Sequence, residues 1–237
     1  MIDRSFIDRI EELSKVEVLE VCSRPYATKK LSPVFEPQPD VLTINTLTGL
    51  ADYINANADK LALEGVIVHI ESYASVKLLS VLEGGFKQRS SYLHVQSTLK
   101  PFNFGQWTDV ERFIISLQSQ FEQDAMTAAL LRLAGNLQDG AVRNFTDDGV
   151  TQSVTAKTGI ARVGEVEVPN PVTLAPFRTF LEIAQPDSRF VFRLKQGDGM
   201  PLCALFEADG GGWQLEAIKR IRDWLRVHIP EEVTILA

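Results

Sequence analysis

Apolar residues recur at helical spacing in four parts of the chain, and this pattern predicts four amphipathic helices. They are a short helix within residues 2–19, a helix from Thr46 to about Asn57, a long helix over 107–137 that can kink after Asp124, and a last helix from Trp213. Thr46 is suited to capping the second helix. In the last helix the predicted buried stripe is Leu215, Ile218, Ile221 and Leu225.

Stretches that alternate or are rich in β-branched residues predict strands around these helices. Residues 64–100 predict a long antiparallel hairpin or meander, with a turn at Gly84-Gly85. A mixed β/α region is predicted over 145–237, with apolar strands at 177–183, 189–194 and 202–208 and a short strand at the end. Because the strands concentrate between two major helical regions, the predicted class is α+β.

Residues 22–40 differ from the rest of the chain because they hold four prolines and few periodic apolar positions. Proline and the residue before it both avoid the helix, so this stretch predicts an extended segment. The predicted organisation is therefore an N-terminal arm over 1–40 and a single α+β domain over 41–237.

The net charge of the 237-residue chain is −7, which disfavours a sequence-independent nucleic-acid partner. Cys22 and Cys203 form no recognisable disulfide framework, as expected of reduced thiols in the cytoplasm. The sequence contains neither a secretory signal pattern nor an apolar run of about 20 residues, so neither export nor a membrane partner is expected.

Residues capable of catalysis or metal binding are sparse. His69 and His94 lie on predicted strands and could hold a metal with Glu71, although ordinary cross-strand positions are the favoured interpretation. Asp147-Asp148 could hold a cation, but adjacent acids before a glycine are more typical of a turn. Cys203 lies in an apolar strand and favours core packing. With no nucleophile motif, we expect no catalytic residue, cofactor or metal.

The stretch "ALFEADGGGW", residues 204–213, joins an apolar strand to a helix through three glycines. Glu207, Asp209 and Gly210–Gly212 are a weak candidate for phosphate or a cation, because helix N-termini bind anions. The two acids would repel phosphate, and no lysine, serine or threonine follows the glycines. A turn that needs positive φ angles is the favoured interpretation.

Four stretches also resemble an uncharacterised protein family of tailed phages and prophages. They are "FGQWTDVERFIISLQSQF", "TDDGVTQSVTAKTG", "VEVPNPVTLAPFRTF" and "ALFEADGGGW" with the helix after it, and the likeness covers about residues 65–237. The resemblance implies a phage origin and the cytoplasm of a bacterial host. It implies no catalytic residue.

The order of elements is similar to that of the tailed-phage capsid and encapsulin fold. On this analogy residues 1–40 are the arm, 64–100 the hairpin and 107–137 the spine helix, and a mixed α/β domain ends the chain. The expected function is a non-enzymatic structural protein that assembles with itself into a capsid-like shell. Aromatic and proline anchors predict its interface: Pro25, Tyr26, Pro33, Phe35, Pro37, Tyr73, Phe86 and Tyr92.

The alternative function is a small phage accessory protein of early infection. Such a protein would bind a nucleotide, a host factor or a replication component. Its best sequence feature is the glycine turn at Gly210–Gly212.

Overall fold

The structure, a computed structural model, describes residues 3–21, 24–27, 30, 40–84, 87–138, 145–147, 152–158, 162–167, 170–197 and 201–237. The chain forms two compact units, Met1–Pro39 and Asp40–Ala237. In the first unit, the described elements are helix α1 (Arg4–Ser14) and strands β1 (Val18–Val21) and β2 (Arg24–Ala27).

The prediction of an extended arm over residues 1–40 needs correction in the described part of this unit. Helix α1 confirms the helix predicted within 2–19. Strands β1 and β2 pair antiparallel, with Leu19 opposite Tyr26. Pro25 lies opposite Glu20 in this ribbon, and both strands are edge strands, which is where proline is tolerated. Residues 31–39 lie outside the described residues.

The second unit is α+β, as predicted. Its described helices are α2 (Leu47–Ala56), α3 (Val110–Gln120), α4 (Ala125–Gln138) and α5 (Gly212–His228), with a short 3-10 turn at Leu63–Gly65. Its described strands are β3 (Leu42–Ile44), β4 (Val66–Ser72), β5 (Ser75–Ser80), β6 (Ser91–Gln96), β7 (Thr108–Asp109), β8 (Phe145–Asp147), β9 (Gln152–Thr158), β10 (Arg162–Glu167), β11 (Val172–Leu174), β12 (Ser188–Gln196), β13 (Pro201–Glu207) and β14 (Thr234–Leu236).

The first large sheet has the strand order β14-β4-β5-β6-β3. Alternate residues of β4, β5 and β6 are buried in one hydrophobic cluster with residues of α2 and α5. Of the two alternatives predicted over 64–100, the meander is confirmed and the protruding hairpin is wrong, because the three strands lie at the centre of a sheet. The reason is its apolar alternation, because one face of every strand must be covered.

The second large sheet has the order β11-β12-β13-β7 and shares a hydrophobic cluster with α3 and α4. The helix predicted over 107–137 is not one continuous spine but two helices, α3 and α4, so the predicted break near Asp124 is confirmed. Phe121 leaves the helix there and forms a bridge with Pro176. Gln123 donates to the carbonyls of Leu117 and Phe121 and so ends α3. Asp124 then accepts from the Thr127 N–H and begins α4.

Strands β8, β9 and β10 form a third, antiparallel sheet in the order β10-β9-β8. Helix α5 confirms the last predicted helix, and of its predicted stripe Ile221 and Leu225 are buried and Ile218 is partly buried. Leu215 is 74% exposed. The buried side follows i, i+4 spacing instead: Trp213, Ala217, Ile221 and Leu225.

Candidate functional site

The glycine turn connects β13 to α5, as the sequence predicts. Gly210 and Gly211 have φ angles of 63° and 82°, which are left-handed conformations. An L-residue with a side chain adopts this region at a cost, whereas glycine does so freely. The interpretation as a positive-φ turn is confirmed.

The N–H groups at the start of α5 all have partners inside the turn. Asp209 is the main acceptor: its carboxylate accepts from the N–H groups of Gly211, at 3.0 Å, and of Trp213. The N–H of Gly212 bonds to the carbonyl of Asp209, and that of Gln214 bonds to the carbonyl of Gly211. The aspartate thus stands where a phosphate would bind, which argues against a phosphate site here.

Arg178 supplies the positive charge for the acids of this turn. It lies between β11 and β12, is only 4% exposed, and its Nη1 donates to Glu207 Oε1 at 2.8 Å. Its Nη2 donates to the hydroxyl of Ser188, which in turn donates to Asp209 Oδ2 at 2.8 Å. The cation beside Glu207 and Asp209 is therefore the chain's own guanidinium, and we name Arg178, Ser188, Glu207, Asp209 and Trp213 the arginine centre.

Aromatic rings enclose the guanidinium of this centre. Its carbon lies 3.7 Å from the ring centre of Trp213 and just under 6 Å from those of Phe104 and Phe190. Burial lowers the pKa of Arg178 to about 10, against the opposing effect of the carboxylates. For Asp209 burial alone would raise the pKa, but the Ser188 hydroxyl, the two N–H groups and Arg178 outweigh it and lower the pKa. Both groups stay charged at neutral pH.

The chain segment that carries Arg178 is not the strand predicted over 177–183. A side chain replaces the neighbouring strand, because Gln185 Oε1 accepts from the N–H groups of Arg178 and Thr179. Its Nε2 donates to the carbonyls of Phe180 and Ile183. The arginine centre therefore connects three parts of the chain. Arg178, on the segment 175–187, contacts Glu207 on β13 and Trp213 on α5.

Alanine at Gly211 should lower the free energy of unfolding by about 1 kcal/mol or slightly more, because φ is 82° there. A Cβ at this position meets only the tip of Gln214, at 4.0 Å, so the cost is conformational. Gly212→Ala is the matched control, since its Cβ meets nothing within 4 Å and its φ is not in the left-handed region. Urea unfolding measured by circular dichroism compares them, and equal stabilities would contradict the account.

The two strand histidines do not meet. His69 pairs with Lys77, and Lys77 pairs with His94, so one strand separates the histidines. This places them roughly 9–10 Å apart, too far for a shared metal. In the described part of the chain, no group of three or more His, Cys, Asp or Glu side chains could hold a metal ion. Asp148 of the other predicted pair lies outside that part.

One serine contacts a histidine in a manner that resembles a nucleophile and its base. Ser75 Oγ lies 2.9 Å from His94 Nε2, but it donates its only proton to Glu71 at 2.9 Å. His94 must then donate to Ser75 and is not placed to remove its proton. Hydrogen bonds from Lys77 and Ser75 lower the pKa of Glu71 and keep it ionised. The trio is a surface hydrogen-bond chain.

Cys203 is fully buried in β13, as the apolar strand predicted. Burial raises the pKa of its thiol to about 12, so the thiolate form is scarce at neutral pH. It packs with the core and is not poised to react. Cys22 lies outside the described residues.

The predicted interface residues fall in three places. Tyr73 is half-buried with its ring centre 4.5 Å from that of Trp213, and Tyr92 packs against the cluster beneath the first sheet. Pro25 and Tyr26 lie on β2 with exposed side chains. The others lie outside the described residues: Pro33, Phe35, Pro37 and Phe86. Their interface role stays a prediction.

Helix α1 also has an exposed apolar surface, and no residue of it was among the predicted interface residues. Phe6, Ile10 and Leu13 form one face of α1 and are each more than half exposed, with Ile7 beside them. We name these four residues the apolar face of α1. No residue of α1 is buried, whereas each large sheet of the second unit shares a hydrophobic cluster with two helices.

None of the described helices is both long and apolar enough to cross a membrane. Comparison of the chain with models of protein families, with curated proteins and with solved structures gave no match. The function is therefore inferred from the residues of this chain and their contacts.

Proposed function

We propose that the protein is a non-enzymatic structural protein whose copies assemble through the N-terminal unit. The observation that carries the proposal is the apolar face of α1. Phe6, Ile10 and Leu13 are 56%, 51% and 64% exposed in a helix that buries none of its residues. Covering each of these side chains contributes about 1 kcal/mol to an association.

The elements of this unit are too small to be stable without such an association. Helix α1 has 11 residues, and isolated helices shorter than about 12–15 residues are marginal in water. The hairpin of β1 and β2 has two strands, which is also marginal alone. Its paired Leu19 and Tyr26 are 52% and 53% exposed and add apolar surface. Both elements gain stability from a partner.

A second copy of the chain is the partner that fits α1 best. The spacing of Phe6, Ile10 and Leu13 is four and then three, which is that of a coiled-coil seam. The rest of the helix carries both signs of charge, so two copies attract as well as repel: Asp3, Asp8, Glu11 and Glu12 against Arg4, Arg9 and Lys15. This acidic excess disfavours a lipid surface, which selects basic helices.

A closed capsid-like shell is the particular assembly that the resemblance to tailed-phage proteins implies, and it forms part of the proposal. The meander at the centre of the first sheet and the two separate helices α3 and α4 add no support to the shell. The accessory-protein alternative has a weaker basis for a nucleotide, since Asp209 occupies the helix N-terminus. A host-factor partner would use the same apolar face, and the oligomeric state separates the two possibilities.

The test compares two lysine substitutions on α1 by light scattering after size exclusion. Ile10→Lys places a charge in the apolar face and should give single chains of 26.4 kDa. Asp8→Lys places the same residue on the opposite side of the helix and should leave the assembly intact. A wild-type protein that is monomeric at high concentration, or Ile10→Lys assembling like the wild type, would overturn the proposal.

A further inference from the structure

A groove of about 410 Å³ lies between the loop at 101–108 and helix α3. The loop wall is Asn103, Gln106 and Trp107, and the helix wall is Arg112, Ser116 and Gln120. Its volume falls at the lower end of the roughly 300–1,000 Å³ found for small-molecule sites. The groove suits a ligand the size of a small ring compound.

The indole of Trp107 is held in place from outside the groove. Lys195 Nζ lies 4.4 Å from its ring centre, and Phe206 meets it edge-on at 6.1 Å. Neither residue belongs to the groove lining as far as the structure describes it, so both contacts come from outside the groove. The loop is anchored too, since the Gly105 N–H bonds to the Leu205 carbonyl at 2.7 Å. A flat apolar surface, 37% exposed, is therefore placed in advance.

The amides of the groove have no partner among the described residues, unlike those of Asn170 and Gln185. Within the described part of the chain, the side chains of Asn103, Gln106, Ser116 and Gln120 form no hydrogen bond. By contrast, Asn170 binds the N–H and the carbonyl of Phe192, and Gln185 binds four backbone groups. Each free amide offers both a donor and an acceptor to a ligand.

The groove carries little net charge. Its one cation, Arg112, lies 3.4 Å from Asp109 and is 81% exposed at the rim. A phosphate or carboxylate ligand needs unpaired cations, which this lining lacks among the described residues. Hydroxyl groups need the opposite, namely neutral partners that both donate and accept.

We propose that this groove binds a neutral pyranose sugar. The C–H face of the ring packs on the indole of Trp107, and its hydroxyl groups exchange hydrogen bonds with Asn103, Gln106 and Gln120. Ser116 can serve a further hydroxyl. None of these residues belongs to the apolar face of α1, so the proposal does not depend on whether the chain assembles.

Saturation-transfer NMR on the full chain tests the site with glucose, galactose, N-acetylglucosamine, maltose and cellobiose. At least one should receive signal, with millimolar affinity. Trp107→Ala should weaken binding about tenfold or more, since it removes the stacking surface. Gln106→Ala should weaken it about three- to tenfold through one lost hydrogen bond. Gln96→Ala, an exposed glutamine on β6, should leave it unchanged.

Gln106 is exposed, so its alanine variant keeps the test valid even if Trp107→Ala fails to fold. Absence of signal from all five sugars would overturn the proposal. So would equal binding by the wild type and the Gln106→Ala variant. AMP serves as a further probe: a signal from AMP alone, lost in Trp107→Ala, would assign the groove to a nucleobase instead.

Discussion

Replacing Arg178 with methionine is expected to lower the free energy of unfolding by about 3 kcal/mol or more. The substitution keeps an unbranched apolar stem but removes the guanidinium that lies against the rings of Trp213 and Phe190. It removes the charge that pairs with Glu207 and the donor that serves Ser188, which is 3% exposed. A buried ion pair can be replaced without loss of stability when all of its charged and polar members become apolar. In Arg178→Met, Ser188 and Asp209 remain and lose their partner.

Unfolding in guanidinium chloride, followed by tryptophan fluorescence, measures this loss of stability. Arg226→Met is the matched control, because Arg226 is 64% exposed and its ion pair with Asp223 spans 3.9 Å. The control should change stability by about 0.5 kcal/mol or less. If Arg178→Met were as stable as the control, the contacts of the arginine centre would not stabilise the packing of segment 175–187 against β13 and α5.

The elements that the sequence predicted well are those specified by their own neighbours. Thr46 precedes an apolar pattern and accepts from the Gly49 N–H, so α2 begins where local chemistry indicates. Strand β12 alternates, β13 is a short apolar run, and the two pair with each other along their length. Gly210 and Gly211 take positive φ angles because a strand turns directly into a helix there. Each of these features depends on a few consecutive residues.

The failures depend on residues that are distant in the chain or on single polar side chains. The apolar stretch 177–183 predicts a strand, but Gln185 satisfies its backbone in place of a neighbouring strand. Arg178 within that apolar stretch is the signal that could have identified a buried charge, since arginine is almost never fully buried without a partner. Its partners Glu207 and Asp209 lie about thirty residues away, and no local pattern connects them.

Local sequence patterns also could not predict the order of the strands in the sheet. Strands β14 and β3 come from opposite ends of the second unit and flank the central meander as parallel neighbours. Helical periodicity likewise cannot tell a covered face from an exposed one. The pattern of α1 resembles that of α5, yet α5 buries its apolar side and α1 does not. Only the structure separates a core helix from a helix whose apolar face is exposed.

Deleting residues 1–39 is expected to abolish assembly completely while leaving the second unit folded. The described cores of that unit need nothing from the deleted part, since every buried member of both hydrophobic clusters lies at Leu47 or later. The apolar face of α1 and the exposed Leu19–Tyr26 pair are removed together. Light scattering should give the mass of one shortened chain, and the thermal midpoint should stay within about 2–4 °C of the full-length value.

Arg178→Met is the counterpart of this deletion and makes the outcome specific. It should destabilise the second unit yet leave the mass of the assembly unchanged below its melting temperature, because the apolar face of α1 is intact. The deletion should do the reverse. If the shortened chain still assembled, the interface would lie within Asp40–Ala237, and the outer face of the five-stranded sheet, where Leu236 is 55% exposed, would become the surface to test. If it failed to fold, the two units would depend on each other for stability, and α1 would be a core helix and not a docking helix.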